Sequence, residues 1–178
     1  MDLANRTMTI SRHIAAPVDV VWSAWWTPDS LPRWWGPAGF SCRTSRIDLR
    51  EGGDWVFDMI GPDGTVYPNH HRYGRIHPGA RIEYMLLWGE NGPKHADAAA
   101  DFVAEGAGTR VTLTMVFITA EDCAQAKGFG AEALGLQTVT DRSHFDRTRD
   151  GPHGQVQAQN HGHHWRGQQL WRRISQSG

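Results

Sequence analysis

The chain has 178 residues, 39% of them hydrophobic and 21% charged, with a formal net charge of -1. That is enough for one ordinary domain with a true core. It gives no global attraction to nucleic acid or to an anionic membrane. The two cysteines, Cys42 and Cys123, form no CxxC pair, so neither a disulfide framework nor a thiolate metal site is indicated, and a reduced, cytoplasmic protein is the expectation. No run of about 18 apolar residues is present to span a membrane, and Met1 to Ile10 lacks the apolar run and cleavage site of an export signal.

Met8, Ile10 and Ile14 alternate with polar Thr9, Ser11 and His13, which predicts a half-buried first strand. Pro17 suits a first helical turn and Asp19 its positive end. Val18, Val21, Trp22 and Trp25 then fall at i, i+3, i+4 and i+7, so a helix is predicted from about Ala16 to Trp26. Pro28 stops it, and Pro32 opens a brief second helix through Trp34. Five of the nine tryptophans (Trp22, Trp25, Trp26, Trp34 and Trp35) fall in this stretch. Such a cluster is either a packing centre or the wall of an apolar pocket.

From Phe40 onward the punctuation is that of hairpins: Gly52-Gly53, Pro62-Asp63-Gly64, Pro78-Gly79, Asn91-Gly92-Pro93 and Gly106-Ala107-Gly108. Trp55, Phe57 and Met59 alternate on one segment. Ile82, Tyr84, Leu86 and Trp88 do so on another, and Val111, Leu113, Met115 and Phe117 on a third, each giving a strand one apolar face. Between Phe40-Cys42 and Ile47-Leu49 the apolar phase slips by an odd number, which predicts a bulge. Thr119 reads as the N-cap of a long closing helix that carries Glu121 and Asp122 in its first turn and extends to about Thr138. Residues 146–178 are dominated by glutamine, histidine, arginine and glycine and read as a disordered tail beyond a domain spanning 1–145.

The chemistry-bearing motifs are few. No GxSxG elbow, HExxH helix or GxxxxGK[ST] loop occurs, so no catalytic residue is assigned. Gly128-Phe129-Gly130-Ala131-Glu132-Ala133 matches a relaxed dinucleotide fingerprint but falls inside a predicted helix, so no such cofactor is expected. His70 and His71 are adjacent on a predicted strand and point to opposite faces, so they do not chelate one metal. The plainest account of the pair is an exposed edge. If one of them faces a pocket, His70 is the candidate. His161, His163 and His164 in the tail suit adventitious metal capture better than a built site. Asp48, Glu51, Asp54 and Asp58 cluster about Gly52-Gly53 and read as turn solvation.

The order of one strand, two helices, a six-strand meander and a helix is that of the α+β helix-grip fold. Several motifs carry a family resemblance: Ile14-Ala15-Ala16-Pro17 with Val21-Trp22, Leu31-Pro32-Arg33-Trp34-Trp35-Gly36-Pro37, Gly52-Gly53 with Trp55 and Phe57, Gly61-Pro62-Asp63-Gly64, and Gly130-Ala131-Glu132-Ala133-Leu134-Gly135. In this order the chain resembles the bacterial single-domain relatives of the activator of the heat-shock-protein-90 ATPase, within the START-like or SRPBCC superfamily. The resemblance implies a curved antiparallel sheet wrapped around a long C-terminal helix, with a cavity between them.

The expected cavity wall is Trp25, Trp34 and Trp35 from the helices, Trp55, Phe57 and Met59 from the first hairpin, then Leu86, Trp88, Phe117 and Phe129. Tyr67, Tyr73, Tyr84 and His70 are the groups able to orient a ligand. Non-catalytic binding of a small apolar molecule is the leading expectation. The family name offers a second, a co-chaperone-like contact with a chaperone, and superfamily enzymes a third, a cyclase, isomerase or hydrolase acting in the same cavity. A monomer or homodimer is expected.

Overall fold

The computed structural model describes residues 3–36 and 39–128. A short 3-10 turn, Ala4–Arg6, leads into β1 (Thr7–Ile14), followed by α1 (Val18–Trp25) and α2 (Leu31–Trp34). Six strands come next: β2 (Ser41–Ile47), β3 (Asp54–Ile60), β4 (Val66–His77), β5 (Arg81–Trp88), β6 (Lys94–Glu105) and β7 (Gly108–Phe117). The last described element is α3 (Ala120–Gly128). The predicted continuation of that helix towards Thr138, the tail and Phe129 lie outside the described residues.

The seven strands form one antiparallel sheet in the order β1-β7-β6-β5-β4-β3-β2. The meander therefore runs without a crossover, and β1 closes its far side against β7, with Thr7 opposite Val116 and Ile14 opposite Thr109. Each predicted turn joins consecutive strands. In the β2–β3 connection Gly52 has φ +74°, and a Cβ on Gly53 would collide with the Asp48 carbonyl, so both glycines are required there. The turn is stitched to β4 by Gly52 N–H donating to the Tyr73 carbonyl at 3.0 Å and Tyr73 N–H to the Gly53 carbonyl at 2.9 Å.

The predicted bulge in β2 is present as a register shift between Thr44 and Arg46, which returns the apolar phase to Ile47 opposite Trp55. Two further shifts, between Tyr73 and Ile76 and between Leu86 and Leu87, were not expected. Extra residues of this kind bend and twist a sheet.

Residues directly opposite in an antiparallel pair share a face. Trp55, Phe57, His71, Tyr73, Tyr84, Ala98, Ala100, Leu113 and Ile10 therefore lie on one side, here called the inner face. α1 and α2 cover one end of it, with Val21 and Trp25 from α1 and Leu31 and Trp34 from α2 packed on Trp55, Tyr84 and Phe102. At the other end Cys123 of α3 packs with Met8, Ile10, Ala96 and Phe117. Leu86 and Met115 touch both clusters. Thr119 caps α3 as predicted, its hydroxyl accepting the Asp122 N–H at 3.0 Å. No helix among the described residues is long and apolar enough to cross a membrane.

Candidate functional site

The middle of the inner face is built from rings. Proline punctuation holds α1 and α2 short, so Trp25, Trp34 and Trp35 converge. The Trp25 centroid lies 5.1 Å from Trp34 and 5.6 Å from Trp35. Trp34 anchors the pair by donating its indole N–H to the Ala24 carbonyl at 3.1 Å. Trp25 and Trp34 are thus a packing centre, both buried. Trp35, half-buried, carries the cluster onto the sheet and meets Trp55 edge-on at 5.5 Å. Trp55 stacks on Phe57 at 3.8 Å and donates to the Thr44 hydroxyl at 3.1 Å.

At the centre of these rings stands His71. Its imidazole lies 5.2 Å from Trp35, 5.3 Å from Trp55, 5.1 Å from Phe57 and 4.9 Å from Tyr84. Tyr84 is in turn 6.1 Å from Tyr73, whose ring meets Trp26 edge-on at 5.2 Å. Among the described residues none of the side chains of His71, Tyr73 and Tyr84 makes a hydrogen bond. The Trp25 indole N–H is buried without a partner.

Burial, with a smaller contribution from the neighbouring His95 and His70, pushes the His71 pKa down to about 3, so the ring is neutral at neutral pH. Burial also raises both tyrosine hydroxyls well above their ordinary range, which keeps them protonated.

His70, the expected pocket histidine, is on the other side. It pairs with Val56 and Leu87, one residue out of phase with Trp55 and Leu86. The expectation of an exposed pair is also overturned, since His70 and His71 are 1% and 4% exposed. His70 is held by Asp54, with Nε2 2.6 Å from Oδ1, and Arg72 donates to the same carboxylate oxygen at 3.0 Å. Burial pushes the Asp54 carboxyl upward, but the bonds from His70 and Arg72 outweigh it and hold the pKa below its ordinary value.

The acidic cluster around Gly52-Gly53 is accordingly more than turn solvation. Asp54 holds His70, Asp58 pairs with Arg43 at 2.7 Å, Asp48 with Arg50 at 2.7 Å, and Glu51 accepts the Ile76 N–H at 2.9 Å.

Of the other expected wall residues, Met59 and Leu86 border the ring cluster. Phe117 belongs to the α3 end. Trp88 stacks at 4.0 Å on His95, a residue that sequence reasoning passed over. His95 occupies the bulge between Lys94 and Ala96, and burial pushes its pKa down to about 4 despite the opposing charge of Asp122. Among the described residues no group of three His, Cys, Asp or Glu side chains is placed to hold a metal ion.

A curved antiparallel sheet with a ring-lined inner face, two short helices after the first strand and a helix after the last, defines a START-like helix-grip domain. The chain belongs to the Activator of Hsp90 ATPase homolog 1-like protein family, whose model matches residues 15–142. Among solved structures it is similar to a protein of Mycobacterium smegmatis at 25% identity and a TM-score of 0.71, covering 83% of this chain and 93% of that one. It also superposes on an Arthrobacter aurescens protein at 22% identity and a TM-score of 0.74, covering 92% and 96%. An AHSA1-like protein from Aeromonas hydrophila is 23% identical with a TM-score of 0.59, covering 84% and 100%. No curated protein matches the chain.

Proposed function

We propose that this domain binds a small hydrophobic molecule against the inner face of its sheet, without turning it over. The reading is carried by the ring cluster around His71. Ligand sites combine a largely apolar, aromatic lining with a few polar tips that fix orientation, and His71, Tyr73 and Tyr84 are such tips, set among Trp35, Trp55 and Phe57.

Two observations weigh against the other readings. No inner-face position on the described strands carries a carboxylate to orient His71 as a base, as acid–base catalysis would require. Among the described residues the large exposed apolar side chains are Leu3, Val66, Val103 and Ile118, a small set beside the contiguous patch that a docked chaperone calls for.

The test is tryptophan fluorescence and thermal unfolding of the full chain against a panel of apolar probes of differing shape. Quenching should accompany a rise in Tm, since a ligand at 100 times its Kd adds about 2.7 kcal/mol to the folded state. Absence of both effects across the panel overturns the proposal.

A further inference from the structure

We infer that Asn91 is a site of spontaneous deamidation, and that the product loosens the β5–β6 turn by placing a second carboxylate beside Glu90.

The geometry of the turn dictates its residues. Gly92 N–H donates to the Gly89 carbonyl at 3.2 Å and Trp88 N–H to the Pro93 carbonyl at 3.1 Å, so Gly89 to Gly92 close as a four-residue turn. Its third residue, Asn91, has φ +59° and is the one non-glycine in the left-handed region among the described residues. Glycine and asparagine enter that region with least strain. The next position is more demanding, because a Cβ on Gly92 would collide with the Trp88 carbonyl. The fold therefore calls for glycine at 92 and for asparagine or glycine at 91. The sequence answers with Asn-Gly. In that pair the asparagine side chain is most open to attack by the next backbone nitrogen, since glycine puts no side chain in the way.

The chain has four asparagines, Asn5, Asn69, Asn91 and Asn160, and Asn91 alone precedes a glycine. Asn69 is half-buried, is followed by His70, and donates its amide N–H to the Tyr67 carbonyl at 2.8 Å. Asn5 is exposed but precedes Arg6. Asn91 is exposed, and the Gly92 hydrogen bond that must open, at 3.2 Å, stands at the long limit for N–H to oxygen.

The reaction needs no reagent but water. Gly92 N–H gives its proton to solvent base, and the nitrogen attacks Cγ of Asn91. The N–Cγ bond forms, the Cγ–Nδ2 bond breaks, and ammonia leaves behind a succinimide ring. Water then opens the ring. Cleavage at Cγ leaves an aspartyl residue at position 91, and cleavage at the backbone carbonyl carbon leaves an isoaspartyl residue, whose main chain is one methylene longer.

Either product puts a carboxylate next in sequence to Glu90, which is paired with Arg46 at 2.9 Å. Two adjacent negative charges then share one arginine, which also stands 3.8 Å from Asp54. The isoaspartyl form in addition lengthens the connection that the Trp88–Pro93 bond closes.

The experiment is ageing of the full chain in mildly alkaline buffer, followed by peptide mapping by mass spectrometry and by isoelectric focusing. The peptide holding Asn91 should lose its amide before those holding Asn5, Asn69 and Asn160, and sooner as the pH is raised, while a more acidic band grows in. In Asn91→Gly, which suits the left-handed position, that first acidic band should be absent. Retention of the Asn91 amide while another asparagine loses its own, or the same acidic band in Asn91→Gly, overturns the site. The aged parent should also unfold at a lower urea midpoint than the fresh protein, with aged and fresh Asn91→Gly alike. An unchanged midpoint in fully deamidated parent overturns the loosening of the turn.

Discussion

Two adjacent imidazoles on β4 are buried by opposite means. On the outer face His70 is sealed under an ionic lid, its Nε2 against Asp54 and Asp54 against Arg72. On the inner face His71 is enclosed by rings and bonds to none of them. The outer arrangement satisfies a polar group within the protein and leaves only Nδ1 of His70 unpartnered. The inner arrangement leaves a neutral donor and acceptor available in an apolar setting. Two neighbours of one residue type thus have different surroundings, one holding the first hairpin to β4 and the other set among the rings of the inner face.

The sharpest way to break the inner side is Trp55→Ala. Trp55 is 0% exposed and stacked on Phe57, so the cavity should cost about 3–5 kcal/mol. That is a large share of the 5–15 kcal/mol typical of a domain, and urea unfolding should show a much lower midpoint. The outer side is broken by Asp54→Ala, which strands a buried imidazole and should cost about 1–3 kcal/mol. Asp54→Asn, able to keep one bond to His70, should recover part of it in the same assay.

Acid provides the finest probe. Burial depresses the folded-state pKa of His71 to about 3 and of His95 to about 4 from an ordinary 6.5. Below pH 6.5 the unfolded chain takes up protons that the folded chain refuses. The stabilisation is complete above that pH and drains away as the pH falls towards 4 and then 3. Each histidine contributes a slope of up to about 1.4 kcal/mol per pH unit. Unfolding free energies measured between about pH 7 and about pH 4.5 should therefore slope less steeply in His71→Phe than in the parent. Equal slopes would mean that His71 titrates freely.

Much of this arrangement was legible in the sequence, for reasons that differ from residue to residue. Every strand connection announced itself through glycine and proline, and the β2 bulge through the odd offset between Cys42 and Ile47. The choice between His70 and His71 was available too. Counting outward from Asp63, the middle of the second turn, Trp55 and His71 are equidistant, and they are the pair found in register.

His95 was hidden, because the bulge that places it beside Trp88 has no phase signal within Lys94 to Ala100. That stretch is rich in alanine, a residue depleted in strands. Yet Ala96, Ala98 and Ala100 lie buried on the inner face, where their small side chains leave room for the rings of α1 and β5.

The pairing of β1 with β7 has a consequence in time. Strands β2 to β7 pair with sequence neighbours and form as each hairpin emerges, but Thr7 must wait for Val116. At a synthesis rate of about 5–20 residues per second, roughly a hundred intervening residues take about 5–20 s. Throughout that interval the strand made first has no edge to join, and the tryptophans of α1 that follow it have only a partial sheet to rest on. Strand β1 is made well before its partner and waits longer than any other strand to be paired, and loop closure over this distance is the slow step to look for in refolding.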